Sequence, residues 1–183
     1  GGAGLGGAEA ADTVTAVPPA LIAAQQRLAH RRLAGETLVA VTAADDPAGF
    51  GPALQIVTDE ASMLMDSVTV LMHRLGVAYV ALMHPTVWVR RDAEGTLTEF
   101  GPAGGEGPAG TIEESWIHCQ LSETVDQRAL AEAVRLLPMV VADARQVAED
   151  SMALTAALQR LAHEIAADDG TRSAAVVFGS NRC

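Results

Sequence analysis

The side chains able to do chemistry in this chain are few, and their spacing does not bring them together. Five histidines, His30, His73, His84, His118 and His163, fall in five different elements or junctions, and none forms an H-x-x-x-H or C-x-x-C pair of the kind that closes on a metal ion. His118 directly precedes Cys119, but adjacent strand residues point to opposite faces and cannot share a metal or act as a dyad. No serine sits in a G-x-S-x-G elbow. All twelve basic residues are arginine, which excludes a Schiff base, a P-loop lysine and a lysine general base. Asp59, Glu60 and Asp66 cluster near an anticipated helix start, where the helix field favours negative charge. They read as solvated capping groups in preference to a catalytic carboxylate pair. The pattern G-x-G-x-x-G occurs at Gly2–Gly7 and again at Gly105–Gly110. Dinucleotide binding needs a strand before those glycines and a helix after them; the first match lacks the strand and the second lacks the helix. The sequence therefore shows no active site, no metal ligand set and no cofactor loop.

Composition narrows the partners. A chain of 183 residues with 49% hydrophobic content can bury one sizeable core, and its 3% aromatic content favours closely packed Ala, Val and Leu over an aromatic sandwich. The formal net charge of −11 opposes approach to nucleic acid and to anionic lipid. No apolar run reaches the length of a membrane span, and the N-terminus lacks a basic region followed by an apolar core. The two cysteines, Cys119 and Cys183, do not make a disulfide framework, which suits a reducing cytoplasm.

The elements that must position any site centre on Ala53–Met83. An apolar run at Leu54, Ile56 and Val57 reads as a strand, and Thr58, Asp59, Glu60 and Ser62 supply turn and helix-start chemistry. Leu64, Val68, Leu71 and Leu75 then line one helical face, Gly76 caps the helix, and Val77–Met83 reads as an apolar strand buried on both faces. Before this unit lie a disordered leader over 1–16, a helix from Pro18 through about Leu33 with a stripe at Leu21, Ala24 and Leu28, and a strand at Thr37–Ala43. After it, the His84-Pro85 step kinks a strand that resumes over Thr86–Arg91. Asp92–Gly110 reads as one long, mobile hairpin connection, followed by a strand over Thr111–Leu121. In that strand Ser115, Ile117, Cys119 and Leu121 should face helices, while Trp116 is expected on the outer sheet face, together with Trp88, as an interaction surface. A helix begins at Thr124 or Asp126 with the stripe Leu130, Val134, Leu137 and Val141, and Pro138 is expected to kink or break it. Val147, Leu154, Leu158, Leu161 and Ile165 extend a near-heptad stripe that seeks another helix. Residues 169–183 form a tail with a candidate strand at Ala174–Phe178.

Several of these segments carry recognisable motifs: the turn VTDE at 57–60, the helix start MDSV at 65–68, the strand end HP at 84–85 with VRRD at 89–92, and ESWIH at 114–118. Together, over about residues 20 to 168, they resemble the N-terminal region of the large bacterial NAD-specific glutamate dehydrogenases. The resemblance implies an α+β fold, a ferredoxin-like, ACT-type βαββαβ sandwich over 17–168, here with an extra N-terminal helix and strand and a long C-terminal helix. It also implies a parent enzyme that uses NAD to deaminate glutamate in a separate catalytic domain. This segment would then need no cofactor and would not catalyse that reaction alone.

Two functions follow as expectations. The first is a regulatory and assembly module, homo-oligomeric or docked on other domains of the parent dehydrogenase, with an amino-acid effector at Thr58, Asp59, Glu60, Ala61 and Ser62. Its interfaces would be Trp88, Trp116 and the stripe Leu154, Leu158, Leu161 and Ile165. The second is a structural scaffold without an effector. ACT-type domains that bind amino acids commonly have glycine in that turn, whereas this chain has Ala61 and Ser62, which favours the scaffold.

Overall fold

The computed structural model describes residues 17–102 and 106–179, with side chains through residue 168. The leader, the Gly2–Gly7 pattern and Cys183 lie outside the described residues. The fold is α+β, built as helices on both faces of one antiparallel sheet.

Its spine is the ten-residue strand β6 (Ile112–Leu121). On one side β6 pairs with β2 (Ala53–Asp59), and beyond β2 lies β1 (Leu38–Thr42). On the other side two strands meet β6 end to end. The strand β3 (Tyr79–Met83) takes its C-terminal half, β4 (Thr86–Arg91) takes its N-terminal half, and β5 (Leu97–Pro102) pairs outside β4. The β3–β4 pair is the anticipated long strand interrupted at His84-Pro85, where the proline lacks an N–H but its carbonyl accepts from the N–H of Trp116. Since β2 and β3 both run antiparallel to β6, helix α2 (Leu64–Leu75) joins two mutually parallel strands across it, a split βαβ unit. The N-terminal strand β1 closes the sheet beside β2.

One face of the sheet carries α2 and α3 (Gln127–Gly179), the other α1 (Pro19–Ala29). The α2/α3 core joins Leu54, Ile56, Ile117, Cys119 and Leu121 of the sheet to Leu64, Val68 and Met72 of α2 and to Leu130, Ala133, Leu137 and Val141 of α3. The periodic positions read from the sequence thus face the sheet, as the 3.6 and 2.0 periods require. Gly76 takes φ +70°, its N–H and that of Val77 bond back to His73 and Met72, and α2 ends there.

The structure corrects several expectations. Trp116 is fully buried, not exposed: α1 covers its face, where it packs with Ala29, Val57, Val87 and Val89, and its ring lies 5.2 Å from that of Phe100. Trp88 pairs with Glu113 and so falls on the opposite face. Its ring lies across Gly101 and Gly107, at each of which a Cβ would overlap the indole. The stretch Asp92–Gly110 is not one loop, because β5 lies inside it. A tight turn makes that hairpin: Asp92 Oδ1 accepts from the N–H groups of Glu94 and Thr96, and Gly95 takes φ +83°.

Helix α1 stops at Ala29, four residues early, because the following residues join the sheet end. His30 O accepts from Leu97 N, Arg31 bridges Thr96, and Arg32 turns inward. β3 is not buried on both faces; Val80 is 71% exposed. Helix α3 runs through Pro138 without a break and continues to Gly179, so Ala174–Phe178 is helix and not strand. Within a helix already committed on both sides, the loss of one hydrogen bond at proline does not end it.

Because Trp116 is a core residue, Trp116→Ala should act on folding. We expect a loss of about 3–5 kcal/mol in urea unfolding. A loss below about 1 kcal/mol would contradict its burial.

Candidate functional site

Two polar clusters meet at the end of the sheet where β2 leaves for α2, and both use residues of the turn singled out by the sequence. β2 continues through Asp59, so the turn is shorter than anticipated and Met63, at φ +64°, is the residue before α2. No side chain caps the first turn of α2. Asp59 and Glu60 therefore do not serve as solvated capping groups; each is engaged elsewhere.

The first cluster lies under α1. Glu114, fully buried on β6, accepts from Arg32 through Nε at 2.9 Å and Nη2 at 2.7 Å, and from Arg91 through Nε and Nη2 at 2.7 and 2.9 Å. The Trp116 indole N–H adds a further bond at 3.0 Å. Arg32 also donates to Asp59 and, at 2.7 Å, to Glu36 O, and Arg91 donates to Ala29 O and Gly95 O. Asp59 is shared: its other oxygen accepts from Arg145 of α3 at 2.9 Å, and Arg145 reaches Gly35 O at 2.7 Å. Burial works against ionisation of Glu114, but the hydrogen bonds and charges of the two arginines and the indole outweigh it and hold its carboxyl below the usual range. Burial likewise disfavours charge on Arg32, and Glu114 and Asp59 more than restore it. A cavity of about 160 Å³ opens beside Arg32 and Arg91. Each of those guanidinium groups commits four of its five N–H donors to Glu114, Asp59 or backbone carbonyls.

The second cluster lies on the α2/α3 face. Glu60 Oε2 accepts from His84 Nε2 at 3.2 Å, from Thr86 Oγ at 3.0 Å and from the Ser115 hydroxyl, while His84 Nε2 is 2.7 Å from Ser115 Oγ. Serine, histidine and glutamate in contact invite comparison with a hydrolytic triad, but the wiring differs. Both partners of His84 sit on the same ring nitrogen, and the Ser115 proton is given to Glu60. Burial raises the Glu60 carboxyl, and bonds from His84, Ser115 and Thr86 outweigh it and bring it to about 2, which makes it a weak base. The donors of the cluster converge on one oxygen of the chain's own Glu60 side chain.

The remaining candidates are structural. His118 is buried, its Nδ1 accepting from Gln55 at 3.4 Å and its Nε2 donating to Gln120 at 3.2 Å, and burial lowers its proton affinity in spite of the Gln120 bond. Burial pushes the Cys119 thiol up to about 12, so it is inert. Among the described residues no group of three His, Cys, Asp or Glu is placed to hold a metal ion, and no helix is long and apolar enough to cross a membrane. Leu154, Leu158, Leu161 and Ile165 are all exposed on α3. Sequence reasoning identified Asp59 and Glu60 but missed Arg32, Arg91, Glu114 and Arg145. The signal available for the first three was charge inside otherwise structured segments, RR at 31–32 and 90–91 and EE at 113–114.

The depressed values have a defined sign. Where the folded state holds a group below its ordinary value, the unfolded chain binds more protons, so stability falls as pH falls. We expect urea-unfolding stability to decline first below the ordinary histidine value of 6.5, through His118, and again below 4.5, through Glu60 and Glu114. His118→Asn should flatten the upper limb alone. At pH 7, Glu114→Gln leaves two buried arginines undercompensated and should cost about 3–5 kcal/mol. An unchanged midpoint for that variant would refute the assigned geometry.

Comparison with known proteins bears on the whole arrangement. Residues 19–137 match the family described as "Glutamate dehydrogenase, ACT1 domain". The chain is also 50% identical over 157 residues to a protein of Mycobacterium tuberculosis (strain ATCC 25618 / H37Rv) named NAD-specific glutamate dehydrogenase, an alignment that covers 86% of this chain and 10% of that protein. The chain thus spans about a tenth of the length of the relative it matches.

Proposed function

From the premise that this chain belongs to the glutamate dehydrogenase ACT1 domain family, we propose that it is a non-catalytic assembly module of a cytoplasmic NAD-dependent glutamate dehydrogenase. The parent reaction would be oxidation of L-glutamate by NAD, with water, to 2-oxoglutarate, ammonia and NADH, carried out in another domain. NAD would be a cofactor of that domain and not of this one. Two facts support the non-catalytic part: the absence of any lysine, and the wiring of the Ser115-His84-Glu60 contact, in which the serine proton goes to the carboxylate and not to the imidazole.

The observation that carries the assembly reading over an effector-binding one is the internal commitment of the turn. An amino-acid effector brings a carboxylate, which needs cationic or N–H donors. At Thr58–Ser62 it would meet two carboxylates, Asp59 and Glu60, already bonded to Arg32, Arg145, His84, Thr86 and Ser115, although the buried Arg145 Nε keeps an N–H without a partner. Displacing either carboxylate would leave it without partners in a partly buried site, a cost of about 1–3 kcal/mol or more before any ligand contact is gained. The turn instead links elements: Asp59 ties the α1–β1 connector to α3, and Glu60 ties β2 to β4 and β6.

Calorimetry with NAD and with glutamate should give no saturable heat. In amide spectra, a panel of the common amino acids should leave residues 58–62 in place. Saturable shifts confined to this turn would replace the assembly reading with a regulatory one, in which an effector acts at the seam.

A further inference from the structure

The last α3 side chain buried against the body is Ala148; from Glu149 to Asp168 every side chain is exposed. That is roughly 20 residues, or about 30 Å of helix standing clear of the sheet. Leu154, Leu158, Leu161 and Ile165, each more than half exposed, recur at four, three and four and form one seam. The rows beside the seam are Ala148, Thr155 and Ala162 on one side and Asp150, Ala157 and Glu164 on the other. Small flanking residues allow a second helix to approach closely, and no opposed basic row demands a charged partner.

We infer that this arm pairs with the same arm of a second copy of the chain, antiparallel and centred between Gln159 and Arg160. Leu154 then lies opposite Ile165 of the second copy and Leu158 opposite its Leu161, and the two-fold repeats both layers. The result is a four-layer seam without a polar residue. Asp150 and Glu164 do not meet their own copies in this register. Charge selects the direction. A parallel pair would set two bodies of a chain with net charge −11 side by side, whereas the antiparallel pair holds them at opposite ends of the arms. That separation, on the order of 30 Å, is well beyond a Debye length of about 8 Å. The seam with its flanks offers on the order of 600 Å² on each arm, which reaches the lower bound of a specific interface and implies a weak, concentration-dependent dimer.

This inference names the partner for the assembly reading and rests on it, and the two fail separately. Ligand binding at the turn would overturn the assembly reading, while a monomeric chain would overturn only the pairing of arms. The test is sedimentation equilibrium of the full 183-residue chain up to about 300 µM, a range that captures weak self-association. We expect a monomer–dimer equilibrium, with Leu158→Asp weakening it by about 30-fold or more. Circular dichroism should show that variant still folded. In a Cys183→Ser background, the Leu154→Cys, Ile165→Cys double variant should cross-link to a covalent dimer on mild oxidation and Leu158→Cys should not. A monomer throughout the range, a dimer indifferent to Leu158→Asp, or cross-linking by Leu158→Cys alone would each overturn the proposal.

Discussion

The arrangement of the sheet end depends on one buried carboxylate. Glu114 stands on the central strand with no exposure, and its ionisation is tolerable only because Arg32 and Arg91 arrive from two different segments and the Trp116 indole closes the remaining acceptor position. Each of those partners has a second task. Arg32 holds the α1–β1 connector and Asp59, Arg91 holds the end of α1 and the β4–β5 turn, and Trp116 fills the layer beneath α1. The charge that is costly to bury thus gathers four separated stretches of chain at one point. An apolar residue in its place would leave two arginines inside the protein without a counter-charge, so the network can be removed only as a whole.

From that point the wiring runs to α3. Asp59 passes the contact from Arg32 to Arg145, which lies one turn before the helix leaves the body. The same helix therefore has two regimes. From Asp126, whose carboxylate caps the N–H of Ala129, to Ala148 it is held by Leu130, Leu137, Val141 and the α2 face. From Glu149 to Ala166 no side chain is buried, and an apolar seam is exposed to water. That exposed seam is a physical reason for the arm to find a partner. On the assembly reading proposed above, such an arm is suited to joining parts.

The local elements were legible in the sequence because each rests on a signal with a short range. The 3.6-residue stripe of α2, the glycine that ends it, the alternation in β6 and the seam of α3 all involve residues within a turn or a strand of one another, and their physics needs no knowledge of the rest of the fold. The strand β5 was equally local, with Asp92 and Gly95 making a hairpin turn, but the glycine and proline content around it obscured the signal. The family resemblance came from the same stretches, VTDE, HP and ESWIH, and it supplied the fold class that periodicity cannot.

What only the tertiary structure decided was which face of the sheet each strand presents and who covers it. Alternation places Trp116 opposite Ile117, but whether that face meets solvent or α1 depends on where an N-terminal helix more than eighty residues away packs. The opposite placement of Trp88 follows from register, in which a slip of one residue exchanges the faces. The same holds for the charges. Composition alone established an acidic chain with arginine as its only cation, and with it the exclusion of lysine chemistry. It could not say that Asp59 and Glu60, adjacent in the chain, serve opposite faces of the sheet. Pairing a buried charge is a long-range event, settled by burial and geometry between segments that carry no mark of one another, and so it appears only once the chain has folded.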